Sequence, residues 1–555
     1  MSERIFIGVA WPYANGPLHL GHLAGCYLPA DIFARFHRLR GNEVLMVSGS
    51  DSHGTPIMRK ADDDGITPAD VVNKYHPSFL DSFEKLGITF DLFTTTMTDN
   101  HRETVSELML TLHEKGYIYP DTMKVTYSPD FQRFLPDRYV EGTCPHCQNP
   151  DARGDQCDNC GHILDPIDLI DPAYRHQGIH YPVEIRDAQH LFYKLSAFEK
   201  QLQEWVQKQD HWRPNVKNFT LGYLKEGLKD RAISRDIDWG VPMPITGFED
   251  KRIYVWFEAV AGYLSASKEW AKRSGNSDAW RPFWQDQTTR AYYFIGKDNI
   301  PFHTIIWPAL LLGMGGFNLP YDVPANEFMT LEGKQLSTSR NWAVWAPDYL
   351  ARFPADPLRY HLSANMPETS DSDFSWTEYV RRNNDELVAT FGNLVHRVLT
   401  QVYRNFDQAV PDPGSLRQED EDLIAKANAA LEATATNLDT THFRQALNGA
   451  MAFAKETNRY IDAQAPWKQI KENRDDAAKT LYASIYALSA LKTALYPFLP
   501  FSAQSLHELL GLPGKVEDAG WTIARPVPGT ALPEPIRLFT KLDDSVIQEM
   551  VELLG

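Results

Sequence analysis

The chain has 555 residues, and its 73 Asp and Glu against 55 Lys and Arg give a formal net charge of -18. With 43% hydrophobic and 23% charged residues, a disordered or collagen-like protein is excluded, and no stretch approaches the ~18 uncharged apolar residues of a membrane span. The acidity argues at first sight against a nucleic-acid partner, because phosphate binding is driven by clustered Lys and Arg.

In chain order, Ile5 to Ala10 is a short β-branched and apolar run. After the turn Pro12-Tyr13-Ala14-Asn15-Gly16-Pro17 a helical pattern runs from about Leu20 to Arg40, and a second apolar run follows at Glu43 to Val47. Strand, turn, helix, strand predicts a βαβ unit with a parallel sheet. Helical periodicity around Ala69–Leu86 and His101–Lys115, with a strand between, continues the alternation, so residues 1–116 are read as the first half of a nucleotide-binding sheet. Over 117–233 proline, aspartate and cysteine dominate, with helix predicted only at Ala188–Lys208 and Leu221–Lys229; this is an insertion. Aromatic strands predicted at Arg252–Trp256 and Tyr292–Gly296 place the second half of the sheet in 234–325. Residues 326–375 form a connecting region, and 376–555 reads as an antiparallel helix bundle, from apolar periodicity at Leu387–Leu399, Asp422–Leu438, Phe443–Ile461 and Ala477–Leu495. A proline-rich strap from Leu512 to Pro535 precedes a last short helix. The fold class expected is therefore α/β, a Rossmann-like parallel sheet split by an insertion and followed by an all-α bundle. The N-terminus Met1-Ser2-Glu3-Arg4 has no basic-then-apolar pattern of a signal, and a cytoplasmic protein is expected.

Two constellations carry chemistry. His19-Leu20-Gly21-His22 opens the first helix directly after the first strand. Unpaired N–H groups and the positive dipole end of a helix N-terminus suit phosphate, two imidazoles one turn apart add donors, and Gly21 lets a nucleotide approach the backbone. Cys144, Cys147, Cys157 and Cys160 follow C-x2-C-x9-C-x2-C spacing, which fits four thiolates around one structural Zn2+ with no position open for a catalytic water. Five acids around them, Glu141, Asp151, Asp155, Asp158 and Asp165, make this knuckle unsuited to phosphate.

The first constellation, Pro-Tyr-x-Asn-Gly-x-x-His-x-Gly-His after a strand, resembles the first signature of the class I aminoacyl-tRNA synthetases. Their second signature, Lys-Met-Ser-Lys-Ser, is matched by Lys334-Gln335-Leu336-Ser337-Thr338-Ser339-Arg340, in which Gln335 and Thr338 take the two lysine positions. Only Lys334 and Arg340 remain to supply positive charge. Tyr254-Val255-Trp256-Phe257-Glu258-Ala259 with Gly262-Tyr263, and Phe294 to His303 leading to Trp307, look like the methionine-specific segments of the methionyl branch; the larger leucine, isoleucine and valine enzymes carry an editing insertion for which 555 residues leave no room.

The resemblance implies a ligase that activates L-methionine with ATP, Mg2+ on the phosphates, and transfers it to tRNA(Met). It implies that His19 and His22 stabilise the phosphate transition state and that Asp51 holds the amino group. Trp11, Tyr13, Trp256, Ala259, Tyr263, Phe302, His303 and Trp307 would box the thioether, which aromatic edges suit. Arg235 would orient substrate charge. Asp298, at a strand end, would contact the ribose or Arg235, and Gly21, Lys334, Ser337, Thr338, Ser339 and Arg340 would meet ATP. Asn393, Arg397 and Trp467 match anticodon-reading positions, a stacking platform with two edge readers. The altered second signature leaves one alternative open, a relative that kept the fold and tRNA binding but lost the reaction. A monomer is expected.

Overall fold

The computed structural model describes residues 2–155, 157, 159–160, 162, 164–176, 178–337 and 341–554. Thr338, Ser339 and Arg340 of the second signature, and Asp158 of the knuckle, lie outside the described residues.

Strands β1 (Arg4–Val9), β2 (Glu43–Ser50), β3 (Leu92–Thr95), β4 (Arg290–Gly296) and β5 (Ala325–Asn326) form one parallel sheet in the order β5-β4-β1-β2-β3. Ile5, Phe6, Ile7 and Val9 of β1 are wholly buried, as a central strand covered on both faces requires. The chain leaves β1 toward β2 on one side and reaches β4 on the other, so the carboxyl ends of β1 and β4 flank the crevice where such sheets bind ligands. Between β2 and β3 the helix Pro68–Leu86 starts on a reciprocal Thr67/Asp70 cap with proline in its first turn, and it stops at Gly87, whose φ of +69° suits only glycine at low cost.

The insertion carries two corrections. Helix was expected from Ala188, but Glu184–Tyr193 is a strand, paired antiparallel with Ile118–Ser128 along its whole length, and the helix is confined to Glu199–Gln207. Its first half is mostly exposed and only His190, Leu191 and Tyr193 are buried, so no period of two marks it in the sequence. The strand expected over Arg252–Trp256 is only Arg252–Ile253, pairs with Ser234–Arg235 outside the main sheet, and gives way at Val255 to the helix Val255–Arg273. The second half of the parallel sheet is therefore β4 and β5 alone. The knuckle is a separate small sheet of Val140–Thr143, Ala152–Arg153, Ile170–His176 and Ile179–Pro182.

After the sheet, Met329–Leu331 pairs with Lys334–Gln335 and with Ser372–Phe374, and the rest is helical. The bundle packs Asn393–Asn405, Gln418–Asp439, Phe443–Gln464 and Arg474–Leu495, with the strap and the helix Ser545–Glu552 wrapped outside. A buried ionic knot ties bundle to sheet. Arg359 donates to Asp31 (2.7 Å) and to the carbonyls of Phe498 and Leu86, while Arg35 donates to Asp31 (2.9 Å) and Tyr496. Removing one partner of such a knot strands a buried charge, at a cost of ~3–5 kcal/mol.

Three helical stretches widen to π geometry: Leu23–Tyr27, Phe302–Ile306 and Asn383–Gly392. No helix among the described residues is long and apolar enough to cross a membrane.

Candidate active site

His19 caps the helix start rather than extending the helix. Its backbone is extended, its Nδ1 accepts from the Gly21 N–H (3.1 Å), and the Nδ1 of His22 accepts from the His19 backbone N–H (3.2 Å). Both Nδ1 atoms are thus acceptors, which puts the protons on Nε2, and the rings stack at 3.8 Å. Burial, and for His19 also its neighbour His22, lowers both from the usual histidine range, His22 to about 4. At neutral pH the pair is two uncharged imidazoles presenting N–H groups at a helix N-terminus.

The second signature meets this helix directly. Leu20 N–H donates to Val344 O, Ala346 N–H donates to Leu18 O, and the His19 ring lies 5.9 Å from that of Trp345. The Leu336 side chain presses on Gly21 so closely that a Cβ there would sit 2.8 Å from it. Sequence reasoning reserved the bare face of Gly21 for a nucleotide; the structure shows Leu336 against it. Positive φ at Glu332 and Gly333 turns the chain between the two strands, and Lys334 stands with its ammonium 4.4 Å from the Trp342 ring. Reciprocal bonds between Ser337 and Trp342 (2.9 Å each) close the segment.

On the other side of the crevice lie the aromatic residues that the resemblance names. Trp256 and Phe302 stack at 3.9 Å and 8°, and Tyr13 meets Trp256 edge-on at 6.3 Å. Tyr263 Oη lies 2.7 Å from His303 Nε2, while His303 Nδ1 lies 2.9 Å from the Asn299 carbonyl. The carbonyl requires Nδ1 to carry the proton, so Tyr263 donates to Nε2; burial lowers His303 to about 4 and keeps it neutral. Ala259 is on the same helix face as Tyr263, one turn before it. Trp307 is fully buried and donates to Tyr293, whose ring packs on Tyr263 and His303, so it supports the box from behind. Trp11 is wedged between Gly49 and Gly262, where any Cβ would overlap its indole, and its N–H is buried without a partner among the described residues.

Asp51 directly follows β2, bridged to Tyr13 by backbone pairing, and is almost wholly buried. Burial, then the nearby Glu258 carboxylate, pushes its carboxyl up to about 7. Arg235 is not joined to Asp298. It donates to Asp137 (3.3 Å) and to the Ala232 and Ser234 carbonyls, and it lies 3.8 Å from the Tyr254 ring. Asp298 stands exposed at the end of β4, bonded to Asn299 (3.3 Å).

The cleft also contains residues that sequence spacing had not assembled. Asp137, Arg138 and Asp155 of the knuckle line it beside Tyr13, His53, Arg235 and Trp256, with Arg138 ion-paired to Asp155. Asp155 counted in the sequence only as one of the knuckle's acids, and nothing local to it signals the cleft. The four cysteine sulfurs lie within 4.8 Å of one another, with Cys144–Cys160 at 3.8 Å and Cys147–Cys157 at 3.6 Å, and none is in a disulfide. Four thiolates on a tetrahedral Zn2+ at ~2.3 Å stand about 3.8 Å apart, so this set fits the ion. The Asn159 amide and the Asn149 backbone lower Cys147 to about 6, toward the thiolate a metal needs.

In the bundle, Arg397 is held by Asp462 (2.8 Å) and Asn458 (3.0 Å), with its guanidinium 5.8 Å from the Trp467 ring. Trp467 is 36% exposed, set on its short helix by Ala465, whose left-handed φ of +46° breaks the preceding helix before Pro466. Asn393 is exposed at the start of its helix.

The sequence matches the family model described as "tRNA synthetases class I (M)" over residues 5–399 and that of the "Anticodon binding domain of methionyl tRNA ligase" over 410–554. It is 58% identical over 555 residues to a methionine--tRNA ligase of Dehalococcoides mccartyi, covering 100% of both chains, and 52% identical to one of Roseiflexus sp., covering 99% of this chain and 98% of that one. Among solved structures it is similar to Mycobacterium tuberculosis methionyl-tRNA synthetase bound by methionyl-adenylate, with a TM-score of 0.81, 28% identity and coverage of 97% and 100% of the two chains.

Proposed function

The chain belongs to the methionine-type class I tRNA synthetases, and we propose that its crevice runs their reaction with the residues assembled above: L-methionine and ATP give methionyl-adenylate and pyrophosphate, and the methionyl group passes to the 3′ end of tRNA(Met). The methionine carboxylate attacks the α-phosphate with no covalent enzyme intermediate, so the protein's part is positioning and charge stabilisation. His19 and His22, neutral and fixed by their own Nδ1 bonds, offer N–H donors to the phosphate oxygens without reorganising. Gly21 and Asp298 flank the nucleotide. Lys334, Ser337, Thr338, Ser339 and Arg340 supply the loop that meets the leaving pyrophosphate, whose charge Mg2+ shares. Asp51 takes the ammonium, Arg235 orients substrate charge, and the box from Trp11 to Trp307 holds the thioether, with Tyr263 and His303 its polar edge.

The four cysteines hold one Zn2+ that stabilises the knuckle, and the knuckle in turn carries Arg138 and Asp155 into the cleft. Asn393, Arg397 and Trp467 read the anticodon. In this division 1–116 and 234–325 make the catalytic sheet, 117–233 the insertion, 326–375 the signature loop and stem contact, and 376–555 the anticodon domain. The enzyme works as a monomer in the cytoplasm, where its free thiols stay reduced.

The observation that carries this reading is the meeting of the two signature segments, Leu336 on Gly21 and Val344–Ala346 on the histidine cap, at the carboxyl ends of β1 and β4. Methionine-dependent ATP–pyrophosphate exchange tests it. Robust exchange is expected; a folded, zinc-loaded protein that binds tRNA without exchange would establish the non-charging alternative, for which nothing in the intact site speaks.

A further inference from the structure

Glu258 belongs to no part of the site described so far. It lies wholly buried in the first turn of the helix Val255–Arg273, where its Oε1 is 2.5 Å from His53 Nδ1 and 3.3 Å from His101 Nε2. Oε2 has no hydrogen-bond partner among the described residues. His101 comes from the helix Asp99–Glu114, where its Nδ1 lies 2.8 Å from Ser265 Oγ. His53 belongs to the turn after β2, and its backbone N–H donates to Asp51 Oδ1 (3.3 Å). The turn is held from a third side by Trp239, which donates to the Ser52 carbonyl (2.7 Å) and meets the His53 ring at 5.5 Å.

The charges explain why such a cluster is kept. Burial opposes a charge on His53, but Glu258 raises it above the ordinary histidine value; burial likewise opposes Glu258, but His53 and His101 bring it down to about 2. His53 is thus paired with Glu258, and Asp51 makes no ion pair among the described residues. Its other titratable neighbour is Tyr13, whose hydroxyl burial and Asp51 hold protonated.

We infer that Glu258, acting through His53, is a positioning residue of the ammonium subsite: it fixes the Asp51 turn and holds the His53 side chain off Asp51, which leaves that carboxylate to the substrate's ammonium. This rests on the reading of Asp51 as the ammonium partner. It differs from a packing role, because a packing role would weaken all ligands of the crevice alike.

The test compares methionine with its 2-hydroxy acid, in which a neutral hydroxyl replaces the ammonium, as substrate and as competitor in ATP–pyrophosphate exchange. Glu258→Gln should raise the KM for methionine at least tenfold, leave the KM for ATP within twofold, and leave the inhibition constant of the hydroxy acid nearly unchanged, so that the preference for the amino acid shrinks. Glu258→Asp, which keeps the carboxylate, should recover part of it. If Glu258→Gln does not fold, His53→Gln is read in the same way. Equal losses for both acids, or an unchanged methionine KM in a folded variant, would overturn the proposal. Asp51→Asn separates the layers: a preference that survives it overturns the reading of Asp51 itself, whereas a preference lost in Asp51→Asn and intact in Glu258→Gln overturns only the role of Glu258.

Discussion

The crevice at the sheet and the proposed base-reading face of the bundle solve opposite problems. In the crevice, polar groups close on one another before any ligand arrives: His19 and His22 bond to their own helix start, Tyr263 to His303, and Glu258 to two imidazoles. On the bundle, Asn393 and Trp467 stand exposed, and Arg397 is steadied by Asp462, itself largely open to solvent. A reaction gains from donors that need no reorganisation in a low dielectric, whereas single-stranded bases need accessible planes and edges. The net charge of -18 is tolerable for the same reason: tRNA needs only a local basic and aromatic patch.

If the two regions are independent, damage to one spares the other. The largest effect is expected from His22→Ala, which should slow methionine-dependent exchange by ~10²–10³, the usual cost of one oxyanion-type donor, with the dissociation constant for tRNA unchanged. Trp467→Ala should do the reverse, raising the KM for tRNA by ~10–100-fold, as one stacked base is worth ~1–3 kcal/mol, while exchange stays near wild type. A large loss of exchange in Trp467→Ala would show that the regions are coupled, and the Asp31–Arg35–Arg359 knot would be the first place to look.

A smaller effect sharpens the contrast in charge. Asp51 must be ionised to take an ammonium, and its carboxyl sits at about 7 in the free protein, pushed up by burial and by Glu258. From pH 8 to pH 6 the ionised fraction falls from roughly 0.91 to 0.09, so kcat/KM for methionine should drop about tenfold while substrate ammonium stays protonated. The KM for tRNA should not follow this titration; instead it should climb with salt.

The smallest effect is on stability. Burial, then nearby arginines, lowers His37 and His361 to about 3, so both are neutral in the folded chain. Unfolded, they titrate near 6.5, so their contribution is whole above that pH and is lost as pH falls from 6.5 toward 3. By pH 5 each costs up to about 2 kcal/mol, which urea unfolding at pH 7 and pH 5 will read, with His361→Gln flattening the difference.

Much of this was legible in the residues. The histidine turn, the cysteine spacing and the long apolar periods of the bundle are local patterns with local causes, and the structure has them where the sequence put them. The strand Glu184–Tyr193 was not legible, because half of its residues are exposed and its pairing partner lies some sixty residues earlier. Nor was the reach of Arg138 and Asp155 into the cleft, which depends on how the knuckle folds back. Glu258 was in plain view inside a quoted motif, yet a carboxylate one residue before Ala259 says nothing until the helix Asp99–Glu114 brings His101 to its other side.

The three π-helical stretches bear on how this chain can be edited. Leu23–Tyr27 begins immediately after His22, Phe302–Ile306 carries Phe302 and His303, and Asn383–Gly392 ends one residue before Asn393. A π turn holds one residue more than an α-helix needs, so deleting a single residue from any of them restores α register, and it also swings everything on one side of the deletion by ~100° against the other. Substitutions leave that register alone. Shortening by one residue would give each of these helices better bonds and turn the proposed site side chain beside it toward the wrong neighbour, so on the proposed reading chain length at these three places answers to the site more than to the fold.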